Sequence, residues 1–340
     1  IYTIKGKMSY FNGKNNVYLI AEIGGNHEGD FEYAKKLTKL AAESGADAVK
    51  FQIYTGDSLV NAKYDPDRNE HFKKFELTKQ QYIDLAKLCD ELEITFMASV
   101  WDMNALNYID SYIPIYKVGS GDLTAYNLIK KIVLTGKPII LSTGLATFDE
   151  VKATVSFIES IDQSYIVNKK LALLQCTSMY PIPDSDVNLN VISTYMDEFD
   201  IPIGYSDHSI GMDAIETAVA MGAEIIEVHF TDERKGKKFR DHMISATKDE
   251  IASLINKIKK IKILQGSFDK KPVKSEIDSG HVKSFRRGIY AKKELQVGDI
   301  INEDSLITLR PLVGCGAEDF YNLIGTRVLT DKVALEKLDK

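Results

Sequence analysis

The sequence predicts an α/β fold, a (β/α)8 TIM barrel followed by a small, mainly β domain. Three observations lead there. Eight short apolar, β-branched runs recur along the first three quarters of the chain, with helix-periodic segments between them. The runs are nearly continuous rather than alternating, as suits parallel strands covered on both faces. The alternation then stops near Gln265, and shorter runs separated by turn signals follow. Eight strand–helix repeats over about 250 residues match a closed barrel. A doubly wound open sheet is the competing arrangement.

The runs, in order, are Val17–Ile23, Ala48–Ile53, Ile94–Ser99, Ile115–Val118, Pro138–Leu141, Leu171–Cys176, Ile201–Gly204 and Glu224–His229. Between the first two, Phe31, Ala34, Leu37, Leu40 and Ala41 make one helical stripe. Tyr82, Leu85, Leu88, Cys89 and Leu92 make the next, with Thr78 as its N-cap. Asn26-His27 and Asp30 compete to cap the first helix. A polar hairpin is expected over residues 1–14, the catalytic barrel over 1–265 and a linker rich in Lys, Gly and Pro over 266–284. Residues 285–340 carry the small domain, with runs at Gly288–Ala291 and Ser305–Leu309 and a turn at Val297-Gly298-Asp299.

Composition narrows the classes of function. Of 340 residues, 44% are hydrophobic and 27% charged, as in an ordinary globular protein. No apolar run approaches the roughly 20 residues that span a bilayer, so no membrane role is expected. The net charge of −6 is spread along the chain without a basic stretch, which argues against nucleic acid as a partner. Cys89, Cys176 and Cys315 are odd in number and unpaired in spacing, and imply a reducing, cytoplasmic setting.

The chemistry concentrates where a barrel keeps its active site, at the C-terminal ends of the strands. Glu22 ends the first strand, Lys50 and Gln52 the second and Ser99 the third. Lys117 and Ser120 end the fourth, Ser142-Thr143-Gly144 the fifth and Gln175 to Tyr180 the sixth. Ser206-Asp207-His208 follow the seventh, and Glu227 and His229 close the eighth. A single lysine in such a run is as well explained by snorkelling or ion pairing. Two at equal depth, with hydroxyls at Ser120, Ser142 and Ser206, suit a phosphate; a Schiff-base lysine is the rival reading. His208 and His229 on neighbouring strand ends can share a divalent metal. Glu22 is placed as a general base or as a group that orients a sugar hydroxyl. No dinucleotide fingerprint is present, and no organic cofactor is expected.

These residues resemble the sialic acid synthase (N-acetylneuraminate synthase) family. The resemblance is carried by AEIGGNHEGD (Ala21–Asp30), KFQ (Lys50–Gln52), YKVGSGD (Tyr116–Asp122) and PIILSTG (Pro138–Gly144). CTSMYP (Cys176–Pro181), GYSDHSIG (Gly204–Gly211) and EVHFT (Glu227–Thr231) continue it. FRRGIYAKKELQVGDII and LRP resemble the family's C-terminal antifreeze-like (SAF) domain.

The resemblance implies metal-dependent condensation of phosphoenolpyruvate with an N-acyl amino sugar, giving a sialic-acid-type nonulosonate and phosphate. It implies Mn2+ on His208 and His229, with Mg2+ and Co2+ as alternatives. It assigns phosphoenolpyruvate to Lys50, Lys117, Ser120, Ser142, Ser178 and Ser206. Glu22, Lys50, Gln52, Tyr180 and Glu227 fall around the reacting carbons, and Glu22, Gln52, Tyr180, Asp241 and Arg310 around the sugar. Arg310 would be inserted into a partner subunit's site, making a domain-swapped homodimer.

The chain departs from the family pattern at Val100-Trp101 and at Ser178. It departs again at Lys237-Lys238-Phe239-Arg240, which stand where a Pro-Gly pair is usual. The acceptor stays open among N-acetylmannosamine, its 6-phosphate and a 2,4-diacetamido-trideoxy hexose of legionaminic or pseudaminic type. A Schiff-base aldolase and a catalytically silent sugar-binding relative are the alternatives in function.

Overall fold

Eight parallel strands close into a barrel in the order of the sequence. A computed structural model describes residues 10–339, so most of the hairpin expected over 1–14 lies outside the described residues. The strands are β1 (Tyr18–Gly24), β2 (Ala48–Ile53), β3 (Thr95–Val100), β4 (Ile115–Val118), β5 (Ile139–Ser142), β6 (Leu171–Cys176), β7 (Ile203–Asp207) and β8 (Ile225–His229). β1 pairs with both β2 and β8, which closes the ring.

Side chains alternate across each strand, and both faces are buried. One face packs on the surrounding helices; on β2 it presents Val49, Phe51 and Ile53. The other face points into the barrel. Its lower layer is apolar, with Tyr18, Ile20, Ala48, Met97, Ile115, Ile140, Ala172, Leu174 and Ile225 in one cluster. Two residues further along the strands the layer changes character: Glu22, Lys50, Ser99, Lys117, Ser142, Cys176, Ser206 and Glu227 are all buried there.

Local signals set the helices. Asp30, not Asn26-His27, caps the helix Phe31–Ser44, accepting from the Tyr33 amide, and Gly45 ends it in the left-handed region at φ 90°. Thr78 caps Lys79–Glu91 by accepting from the Gln81 amide, as its sequence suggests.

Beyond small shifts at the strand ends, two differences from the sequence reading matter. β7 runs on to Asp207, rather than ending at Gly204. Tyr205, Ser206 and Asp207 look like loop residues but are buried strand residues, because Ser206 is satisfied by Glu227 and Asp207 by the Tyr205 hydroxyl. The polar linker holds two short helices, Lys274–Asp278 and His281–Ser284. Glu276 caps the first by accepting from the Val273 amide at 2.9 Å, and Lys274 pairs with Asp278 one turn on at 2.6 Å. With no apolar stripe, such helices are invisible to periodicity.

Contacts divide the chain into two compact units, one ending at Gly266 and one beginning at Ser267. In the second unit β9 (Gly288–Ala291) pairs antiparallel with β10 (Leu306–Leu309). A separate small core of Ile289, Ala291, Leu295, Ile301, Leu306, Cys315, Val328 and Leu338 holds it.

Candidate active site

The upper layer of the barrel is built by register. Glu22 on β1 stands beside Lys50 on β2, and Ser99 on β3 beside Lys117 on β4. Ser206 on β7 stands beside Glu227 on β8, and Glu22 beside His229. Lys50 Nζ lies 3.0 Å from Glu22 Oε1 and 3.5 Å from Glu227 Oε2. Lys117 Nζ lies 3.7 Å from Glu227 Oε1 and donates to Ser142 Oγ at 2.6 Å. Gln52 Nε2 donates to Glu22 Oε1 at 2.9 Å, and Ser206 Oγ to Glu227 Oε1 at 2.9 Å.

Two lysines and two carboxyls thus share a buried interior. Burial pushes the Glu22 carboxyl up to about 7 against the pull of Lys50, with Glu227 adding to the rise. Burial opposes ionisation of Glu227 too, but Lys117, Lys50 and the Ser206 hydroxyl outweigh it and hold this carboxyl well below its ordinary range. Burial lowers Lys117, while the two carboxylates raise Lys50 in spite of burial. The layer therefore holds one carboxylate that stays ionised and one poised to exchange a proton near neutrality.

Beside Lys117, the ends of β4, β5 and β6 form a cradle. The Gly144 amide donates to Ser120 Oγ at 3.1 Å. A Cβ at Gly144 would lie 2.5 Å from Ser178 Oγ and 2.8 Å from Ser120 Oγ, so a side chain there would displace both hydroxyls. A groove lined by Thr143, Gln175, Cys176, Ser178 and Tyr195 opens alongside.

The histidines meet on the other side of the mouth, with ring centroids 5.3 Å apart. His208 Nδ1 lies 2.8 Å from the Thr177 carbonyl, which can only accept. In the neutral ring that nitrogen carries the proton and the Nε2 lone pair is left for another partner. Burial opposes protonation of His208, but Cys176 and the Thr177 carbonyl outweigh it and raise its proton affinity. Burial pushes His229 down to about 4, so its imidazole is neutral, and its Nδ1 is buried with no hydrogen-bond partner. Among the described residues Glu22 Oε2 is buried without a hydrogen-bond partner as well, and Glu227 Oε2 has only its ion pair with Lys50.

Two imidazoles side by side at a site with unsatisfied polar atoms fit a divalent cation. Among the described residues no group of three or more His, Cys, Asp and Glu is disposed to hold one. Its remaining ligands would come from water or substrate, as at an open catalytic site.

Tyr180 closes this side, its ring 4.0 Å from that of His208 and 5.8 Å from that of His229. Asp241 Oδ2 lies 3.9 Å from His229 Nδ1. The structure therefore draws Glu22, Lys50, Gln52, Lys117, Ser120, Ser142, Ser178, Tyr180, Ser206, His208, Glu227, His229 and Asp241 to the mouth of one barrel. Arg310 belongs to the second unit, exposed, with its guanidinium 5.7 Å from the Phe285 ring centre.

Some participants were not assigned a role from sequence. Ser99 lies 3.5 Å from Lys50 Nζ, the Thr177 carbonyl orients His208, and Gly144 shapes the cradle. Gly144 in Ser-Thr-Gly at a strand end was a signal that could have been read. A backbone carbonyl leaves none in sequence.

Comparison with known proteins agrees with the geometry. The pattern described as the NeuB family matches residues 37–270. The chain is 35% identical to N,N'-diacetyllegionaminic acid synthase of Legionella pneumophila, covering 92% of this chain and 90% of that protein. It is 32% identical to human N-acetylneuraminate-9-phosphate synthase, covering 96% and 93%. The crystal structure of N-acetylneuraminic acid (sialic acid) synthetase from Leptospira borgpetersenii, in complex with citrate, superposes with a TM-score of 0.72 at 32% identity. That match covers 78% of this chain and 90% of the other.

Proposed function

The chain belongs to the NeuB family of sialic-acid-type synthases, and from that premise we propose that it condenses phosphoenolpyruvate with an N-acyl amino sugar and water, releasing phosphate and a nonulosonate. The observation that carries the proposal is the upper layer itself. Lys50 and Lys117 are buried in one layer, Lys117 on the side of the glycine–serine cradle, and a pair of histidines stands at the same barrel mouth. Cations and hydroxyls suit a phosphate; the histidine side suits a carbonyl.

Lys117 and Lys50 balance the phosphate charge while Ser120, Ser142, Ser178, Ser206 and the Gly144 amide fix its oxygens. C3 of phosphoenolpyruvate bonds to the aldehyde carbon of the open-chain sugar as the C2–C3 double bond opens and the aldehyde oxygen takes up a proton, and water adds at C2. The C2–phosphate oxygen link is lost with departure of phosphate. Glu22, with its raised proton affinity, takes the proton from that water. Glu227 stays ionised and pairs with both lysines. Gln52, Tyr180 and Asp241 hold the sugar. A divalent cation on His208 and His229, Mn2+ by preference, would supply Lewis-acid polarisation of the aldehyde oxygen.

We further assign the second unit to the antifreeze-like domain and the working form to a homodimer, in which Arg310 of one copy donates to the acyl carbonyl in the other copy's site. Cys89, Cys176 and Cys315 are all buried, which suits a reducing cytoplasm. The test is phosphate release from phosphoenolpyruvate across N-acetylmannosamine, its 6-phosphate and a 2,4-diacetamido-trideoxy hexose, with and without Mn2+. Release that depends on both sugar and metal is expected. No release with any sugar, or release undiminished by EDTA, would overturn it.

A further inference from the structure

The segment after β8 reaches over the histidine side of the site, and one residue in it has no assigned role. Arg240 has a largely exposed side chain and contributes nothing to the core. Its guanidinium carbon lies 4.4 Å from the centre of the Tyr180 ring, whose own centroid is 4.0 Å from that of His208. Its Nε donates to Asp241 Oδ1 at 3.0 Å, and the second oxygen of that carboxylate faces His229 Nδ1 at 3.9 Å. One arginine therefore touches the two groups that flank the two histidines.

The backbone around it is fixed independently. The amides of Lys238 and Phe239 donate to Glu28 Oε1 at 2.6 and 2.9 Å. On the other side Ser245 Oγ donates to the Asp241 carbonyl at 2.7 Å. Phe239 lies on the backbone of the β1 turn, where a Cβ at Gly25 would come within 2.4 Å of its ring. Removing the Arg240 side chain thus leaves the segment anchored, and its effect is local.

We infer that Arg240 is a positioning residue: its flat guanidinium presses Tyr180 against His208 and orients the Asp241 carboxylate, setting the wall against which the acceptor sugar binds. Without it, Tyr180 loses the partner on its outer face and Asp241 is free to rotate about its side-chain bonds. Planarity is essential to this role. Lysine can reach the carboxylate but cannot stack flat on the ring and bond Asp241 together. The part concerning the sugar rests on the function proposed above; the part concerning the rings does not.

The experiment compares Arg240→Ala, Arg240→Lys and, as a control in the same loop, Lys235→Ala, each as the full chain. Two readouts are taken: steady-state kinetics, and NMR of histidine labelled at Cε1, where the chain's six histidines allow assignment by substitution. In Arg240→Ala the acceptor KM should rise about threefold, the scale of one exposed cation–π contact. The phosphoenolpyruvate KM and the melting temperature should hold. The His208 and His229 signals should move while that of His281 stays. Arg240→Lys should recover only part of the loss, and Lys235→Ala should match the parent chain.

Unmoved signals with an unchanged acceptor KM overturn the inference. So does an equal rise in both KM values together with a lowered melting temperature, which marks a merely structural side chain. Should the parent chain turn over none of the sugars, the proposed function fails, and the histidine signals alone decide the role of Arg240.

Discussion

Two layers of one barrel, two residues apart along the same strands, obey opposite rules. Below lie Ile20, Ala48, Ile115, Ile140 and Ile225; above them lie Glu22, Lys50, Lys117, Ser142 and Glu227. Both layers are as inaccessible to water as any part of the protein. The lower one gains from burial what apolar surface always gains. The upper one carries charged groups whose mutual attraction must offset the loss of their hydration, and among the described residues it leaves two carboxylate oxygens without a hydrogen bond. A folding sequence has no use for that arrangement. The difference teaches that the barrel is stabilised from below, and that its upper layer is kept for the ligands it can satisfy.

Exchanging the layers is the harshest test of this comparison. Ile20→Glu would place a lone charge among apolar neighbours, at a cost above about 5 kcal/mol, and should give no folded protein by circular dichroism. Glu22→Leu should fold while turnover falls at least about 10³-fold. A folded Ile20→Glu chain would show that the lower layer tolerates charge, and the comparison would fail.

Next in size are the histidines. His208→Ala or His229→Ala should lower turnover by about 10³-fold with the melting curve little changed, because open-site ligands contribute to chemistry rather than to the fold. Unimpaired turnover of either variant in EDTA would remove the metal from the mechanism.

Lys117→Met removes one cation at nearly constant length. A loss of about 10²-fold in kcat/KM for phosphoenolpyruvate is expected, with the acceptor KM unmoved. The reverse pattern would place Lys117 at the sugar. In the lower layer Leu174→Ala should do the opposite, lowering stability by about 2–4 kcal/mol in urea titration and leaving both KM values alone.

The smallest effect belongs to an ionic contact outside the barrel interior. Burial would raise Asp232, but Lys237, Lys36 and the Tyr33 hydroxyl hold its carboxyl well below the ordinary range. Its pKa is depressed in the folded state, so its stabilisation is present above the unfolded value and is lost as pH falls below about 4. Asp232→Asn should cost about 1 kcal/mol at pH 7, and the difference from the parent chain should vanish in acid. A constant difference across that range would assign the effect to packing.

Much of this was legible in the sequence, and the reason is physical. Strands buried on both faces announce themselves as apolar runs, so a lysine or glutamate inside such a run stands out. β7 was read short because Tyr205-Ser206-Asp207 resemble a loop unless Glu227 is known to lie beside Ser206. The helices at Lys274–Asp278 and His281–Ser284 gave no stripe to find. Arg240 illustrates the deeper limit. A charged residue in a polar segment carries no mark of its own, and only the path of the segment after β8 brings it to Tyr180.

The alternation along β2 has one more consequence. Lys50 stands between Val49 and Phe51, which pack on the helices. A strand that slipped by one residue would turn Lys50 toward the helices and point its apolar neighbours into the barrel. The same slip would strip the site of a cation and bury a charge in grease. Correct threading and catalytic competence are thus a single condition, and a refolding mixture could be sorted by turnover alone: every active molecule has its strands in register.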